Sequence, residues 1–173
     1  RVFFITRVVV LFVSTGGQAQ FGSDFAVVGL VHAFLLFGLI VMFGVVSGGH
    51  FNPVVTLAAL AIRRIKPLDG AIYMLAQLSG GVLGALLTKS LLKDEGLATN
   101  YGALEVSGLL SGAFAGMIVE AIGTFVLVLV ILTAVYSEKS FKEWAPLAIG
   151  TTLGFLVMVI GPPPSRRSRG SCR

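Results

Sequence analysis

Ser47-Gly48-Gly49-His50-Phe51-Asn52-Pro53-Val54-Val55-Thr56-Leu57-Ala58-Ala59-Leu60-Ala61-Ile62 is too apolar for an ordinary loop and too short to cross a bilayer. The glycine pair predicts a sharp turn. Asn52 is a strong N-cap residue, and Pro53 suits the first helical position, where its missing N–H has no partner to lose. Residues 52–62 therefore predict a helix about 16 Å long, roughly half a hydrocarbon core. Arg63, Arg64 and Lys66 follow at its C-terminal end, where the helix dipole favours cations and where basic residues mark the cytoplasmic surface. A half-helix anchored there begins at mid-membrane, with unpaired N–H groups facing the bilayer centre. Irregular backbone at that depth is tolerated only when covered by protein or lining an aqueous cavity. Broken helices whose N-termini reach the midplane mark permeation or binding sites. The competing reading is a surface amphipathic helix, which needs a polar face that residues 51–62 lack.

The rest of the chain supplies the spans such a segment needs. Residues 27–46, 71–88 and 145–160 carry no charge, and residues 106–136 carry only Glu120. A weaker run, residues 2–15, contains Arg7 and ends at Gly16-Gly17; it reads as a partial first span, because a signal-peptide cleavage pattern is missing. Hydrophobic residues make up 55% of the 173 and charged residues 12%, about half the charged share of a soluble domain. Disorder is excluded by the apolar content, and a disulfide framework by the single Cys172. The net charge of +5 does not indicate a nucleic-acid partner: Arg166, Arg167, Arg169 and Arg173 crowd the last residues instead of forming a basic face. The fold class is an all-α polytopic membrane protein, and its first partner is the lipid bilayer.

Lys139 and Lys142 place the connector after the fourth span on the cytoplasmic side with the Arg63 connector, and residues 93–105 outside. The arginines after residue 161 then fall on the wrong side. Glycines at four-residue spacing (Gly80 and Gly84; Gly108, Gly112 and Gly116; Gly150 and Gly154) predict close helix crossings. Phosphate loops, metal-ligand clusters and nucleophile triads are missing from the sequence, so enzyme chemistry has little to stand on.

The stretch from Ser47 to Thr56 resembles the first signature box of the aquaporin, or major intrinsic protein, family, with Val54 in place of the usual Ala. Glu120-Ala121-Ile122-Gly123-Thr124-Phe125 is similar to the start of that family's fourth helix, and Ala145-Pro146-Leu147-Ala148-Ile149-Gly150 to its fifth. The resemblance implies a right-handed helical bundle of two inverted repeats, each with three spans and one half-helix. Residues 1–92 correspond to the first repeat and residues 93–161 to a partial second. Residues 162–173 form a Pro/Ser/Arg tail unlike the family. The second Asn-Pro-Ala box, expected near residue 169, is replaced by that tail, so the expectation is an incomplete second repeat from a shifted reading frame, an unspliced boundary or a truncated gene model. Arg173 lies near the expected filter arginine, but without the preceding box it takes no role.

Site roles follow from the same resemblance. Asn52 donates amide hydrogens to a passing oxygen at the pore centre, and Pro53 and Val54 make the contact between half-helices. His32, twenty residues before Asn52, and Val157 occupy the second- and fifth-helix filter positions, as in plant vacuolar (tonoplast-like) members. Gly48, Gly49 and His50 support the pore loop. Glu120 accepts hydrogen bonds from re-entrant backbone. The alternative for His32 is a buried histidine bonded to a neighbouring helix carbonyl, and for Glu120 a proton-relay or ion site. The implied function is a channel for water and small neutral solutes such as glycerol, urea or ammonia. It needs no cofactor, assembles as a homo- or hetero-tetramer in a plasma or vacuolar membrane, and is defective or incomplete in this form. The alternatives are a non-conducting subunit that joins full-length channels and a secondary transporter, the latter lacking paired acids for ion coupling.

Overall fold

A computed structural model of the chain describes residues 23–92 and 113–160. The partial first span, the 93–105 connector, the glycines at 108 and 112 and the tail lie outside them. The described residues form α1 (Ser23–Ser47), α2 (Pro53–Ala61), α3 (Pro67–Leu91), α4 (Ala113–Tyr136), a 3-10 turn (Lys142–Trp144) and α5 (Ala145–Ile160). Segments Ala26–Ser47, Pro67–Leu91, Phe114–Tyr136 and Lys142–Ile160 are long and apolar enough to cross a membrane. Their apolar residues run all round each helix, and large ones such as Leu75, Val82, Phe125 and Phe155 are exposed. Water would penalise that surface, whereas acyl chains match it. The molecule is an integral, multi-pass, all-helical membrane protein.

Backbone polarity is contained within the helices, as an apolar solvent demands. Side-chain hydroxyls follow the same rule: Thr88, Thr133 and Thr151 each donate to the carbonyl one turn earlier, at 3.0, 2.7 and 2.7 Å. Polar side chains can thus sit on a spanning helix without an unmet donor.

The most extensive helix pair is α1 against α5. Gly29, Ala33 and Phe37 on α1 meet Gly150, Gly154 and Met158 on α5, each series spaced by four residues. A Cβ at Gly154 would lie 2.6 Å from the Gly29 carbonyl oxygen, and one at Gly150 would lie 2.6 Å from that of Ala33. The backbones are therefore close enough that only glycine fits, the small-residue crossing the spacing predicts. Gly80 differs: among the described residues a Cβ there would meet nothing within 4 Å. It lies on α3, whose principal described partner is α2.

Leu36, Val55, Leu127, Ile131, Ile149 and Leu153 form the buried core where α1, α2, α4 and α5 converge. Phe51, Val130 and Val157 pack against it from the margin. The nine-residue α2 is inserted among spanning-length helices, and Val55, Thr56 and Ala59 are its buried side. This convergence holds the N-terminus of α2 next to α1 and α4.

Candidate functional site

The loop that leads into α2 is shaped by left-handed backbone. Gly48 and Gly49 have φ of 71° and 61°, and Phe51 reaches 44°. Glycine accepts these angles without a Cβ clash. Phe51 does not, and a non-glycine residue there is held by its surroundings. Its ring meets Phe43 edge-on with centroids 6.5 Å apart and also packs on the core.

Asn52 then caps α2 as its residue type predicts. Its Oδ1 accepts from the Val54 N–H at 2.9 Å, and its carbonyl accepts from the Thr56 N–H at 3.1 Å. Pro53 is the first helical residue. With Oδ1 committed to the helix, the two Nδ2 hydrogens of Asn52 have no acceptor among the described residues. An unpaired amide donor thus sits at the positive end of a helix dipole.

The loop is tied to α3 by a polar cluster absent from the sequence reading. Thr56 is fully buried, and its hydroxyl donates to the Asn52 carbonyl at 3.3 Å. It accepts from Gln77 Nε2 at 3.0 Å and lies 3.2 Å from His50 Nδ1. A hydroxyl has one donor and two acceptor sites, so these three contacts together require a proton on His50 Nδ1. The Tyr73 hydroxyl donates to the Ser47 carbonyl, and its ring stacks on His50 with centroids 5.0 Å apart. His50 thus meets the Thr56 side chain on the first turn of α2. Burial lowers the His50 pKa from its ordinary value of 6.5, which favours a neutral ring. Tyr73 and Gln77 are an i, i+4 polar pair on an apolar span, a signal the sequence did contain.

Beside this loop lies a narrow, open cleft with an internal volume of about 40 Å³. Gly48, Gly49, His50 and Asn52 form its polar side. Leu36 and Ile40 of α1, Leu127, Ile131, Val135 and Tyr136 of α4, and Ile149 of α5 form its apolar side. Its lining includes no Asp, Glu, Lys or Arg, and its one titratable imidazole, His50, is held toward the neutral form by burial. At one end, the Arg64 guanidinium lies over the Tyr136 ring, 5.4 Å from its centroid. Such a passage offers a few hydrogen-bonding groups and no counter-charge, which suits an uncharged polar solute and disfavours an ion.

The structure distributes the remaining candidates elsewhere. Pro53 and Val54 start α2 but do not line the cleft, and Val54 is exposed. His32 lies half-buried on α1, its Nδ1 2.7 Å from the Val28 carbonyl one turn earlier in the same helix. It precedes Ala33 of the α1–α5 crossing by one residue, and Val157 follows Gly154 of that crossing by three. Glu120 is exposed on α4.

Comparison with known proteins agrees with this architecture. Residues 2–164 match the family model described as "Major intrinsic protein". The chain is 34% identical over 156 residues to "Glycerol uptake facilitator protein-like 6" of Lactiplantibacillus plantarum, which covers 90% of the chain and 72% of that protein. It is also 34% identical over 149 residues to "Probable aquaporin AqpM" of Archaeoglobus fulgidus, covering 86% of the chain and 60% of the relative. A third relative, "Aquaporin AqpM" of Methanothermobacter thermautotrophicus, is 28% identical over 139 residues, covering 80% and 56%. The chain thus spans from just over half to nearly three quarters of the length of these relatives.

Proposed function

The chain belongs to the major intrinsic protein family, and on that premise we propose that its cleft is one half of a passive path for water and small neutral solutes. The observation that carries the reading is the Asn52 amide at the N-terminus of α2, which has no acceptor among the described residues and faces a cleft lined by no Asp, Glu, Lys or Arg. A solute oxygen entering the cleft accepts from Asn52 Nδ2, and the helix dipole at that point opposes cations. The apolar wall of Leu36, Ile131 and Ile149 leaves the solute few competing partners, so it moves without being trapped. Family members are channels; the path therefore calls for no catalytic group and no cofactor.

The solute range is also a proposal. His32 and Val157 as filter residues make a constriction wider and less polar than a pair of bulky polar groups. That favours glycerol, urea or ammonia alongside water, and glycerol is in the name of one relative. Glu120 and His50 support the loops in this reading, Pro53 and Val54 contact a second half-helix, and the assembly is a tetramer.

Stopped-flow swelling of proteoliposomes containing this chain alone tests the path. Permeability to water or glycerol above that of empty liposomes, abolished by Asn52→Asp, is the expected result. Asp preserves the N-cap acceptor but removes the amide donors and adds negative charge. Unchanged permeability in that variant sinks the assigned role of Asn52. Swelling that requires a co-reconstituted full-length relative favours a non-conducting subunit instead.

A further inference from the structure

We propose that Arg64, held on Tyr136, is a charge-selecting residue at the mouth of the cleft, admitting anionic and neutral solutes more readily than cations. The inference rests on the cleft being the solute path and adds a specificity element on the side opposite the Asn52 cap.

The placement begins with how α2 ends. Ile62 N–H donates to Ala58 O at 3.1 Å, Arg63 N–H to Leu60 O at 2.9 Å and Arg64 N–H to Ala59 O at 2.9 Å. The last two are the paired bonds of a Schellman cap, with Arg63 at the left-handed position, φ 57°. Glycine is the usual occupant there, so an arginine marks a chain reversal imposed by its surroundings. The reversal fixes the backbone of Arg64 with two turns of α2 behind it. From there the guanidinium reaches across to α4 and lies over Tyr136, within the range of a cation–π contact.

Two further observations give that contact a consequence for the cleft. Tyr136 is itself a lining residue, whereas the lining includes no Asp, Glu, Lys or Arg. Among the described residues Arg64 has no carboxylate partner, although Glu138 is close in sequence to Tyr136. Among the described residues no ion pair cancels its field, and although the side chain is exposed, the guanidinium rests on Tyr136 at the rim of an apolar cleft, so its field reaches the lining. Arg63, Arg64 and Lys66 carry the same charge and are all exposed, so what sets Arg64 apart is its contact with a lining residue, Tyr136.

The test uses the full chain in detergent micelles, with Cys172→Ser to remove the native thiol and Val135→Cys as a reporter on the cleft wall. Reaction rates are measured with a cationic trimethylammonium methanethiosulfonate and an anionic sulfonate analogue, each normalised to a free thiol. At low ionic strength the anion-to-cation ratio should exceed unity by about fivefold and fall toward unity in high salt. Arg64→Gln should remove most of that preference, Arg64→Lys should keep part of it, and Arg63→Gly should leave it nearly intact. Tyr136→Leu, which frees the guanidinium while keeping the charge, should lower it as well. A ratio unchanged by Arg64→Gln, or one shifted equally by Arg63→Gly, overturns the proposal, the second by assigning the preference to general surface potential. The readout does not depend on conduction. Liposomes that fail to swell while the ratio still responds to Arg64 refute the path and leave the charge filter standing; swelling with an unresponsive ratio does the reverse.

Discussion

Gly154→Ala adds one methyl group at a close approach of the α1–α5 crossing. The new Cβ would lie 2.6 Å from the Gly29 carbonyl oxygen and 2.7 Å from Ala33 Cβ. Ordinary contact begins near 3.4 Å, so the helices must separate locally by about 0.8 Å. Neither obstacle is the end of a flexible side chain; one is backbone and the other is fixed to it. Overpacking of this kind costs about 1–3 kcal/mol. Against it stands the gain of about 1 kcal/mol from replacing glycine by alanine in a helix. Gly80→Ala isolates that gain, because its Cβ would meet nothing within 4 Å among the described residues. Propensity cancels between the two variants, and the remaining difference is the crossing itself, about 1–3 kcal/mol or roughly 2–10 °C in unfolding midpoint. Helical circular dichroism of the purified chain in detergent, followed through thermal or dodecyl sulfate unfolding, measures both. Gly80→Ala should unfold at or above wild type and Gly154→Ala below it. Equal midpoints for the two variants would refute the close-crossing argument.

Thr56→Val removes the hydroxyl that joins Asn52, His50 and Gln77, leaving polar atoms without partners at a fully buried position. The expected loss is about 1–3 kcal/mol by the same unfolding assay, and Gln77→Leu in the Thr56→Val background should cost less than it does alone. His50 carries a lowered pKa because burial penalises its charged form. Its stabilising share is thus present above its ordinary value of 6.5 and is lost as pH falls through the lower folded value, so the midpoint should drop from pH 7.5 to 5 and do so less steeply in His50→Gln. Arg63→Gly relieves a left-handed residue at the α2 cap and should raise stability by about 1 kcal/mol, seen as a higher midpoint; a lower one would mean that the arginine side chain outweighs its backbone strain.

Several elements could be read directly from neighbouring residues. Asn52-Pro53 sets the start of α2, and the structure begins the helix at Pro53 with Asn52 as its cap. The uncharged runs correspond to α1, α3, α4 and α5, with α1 and α3 extending a few residues beyond the charge-free limits through Asp24, Asp69 and Lys89. Gly48 and Gly49 announce a turn, and both adopt left-handed backbone. Phe51 does so too, which its residue type opposes; that angle is imposed by Phe43 and the core.

The sequence by itself determined the solvent and the presence of the half-helix. Hydropathy, run length and capping are properties of residues within a turn or two of one another, and they need no knowledge of the remaining chain. Tertiary structure decided what each helix face meets. Gly80 and Gly154 have the same small-residue spacing signal, yet among the described residues one meets no neighbour and the other meets the backbone of α1. In an apolar solvent, lipid-facing and helix-facing positions are equally hydrophobic, so the pattern that separates core from surface in water is missing. The partners of the loop were hidden for a related reason: Tyr73, Gln77 and Tyr136 become its neighbours only when α3 and α4 close around α2. Arg64, which the sequence marks as a topological anchor, becomes a feature of the cleft only once that closure brings Tyr136 beneath it.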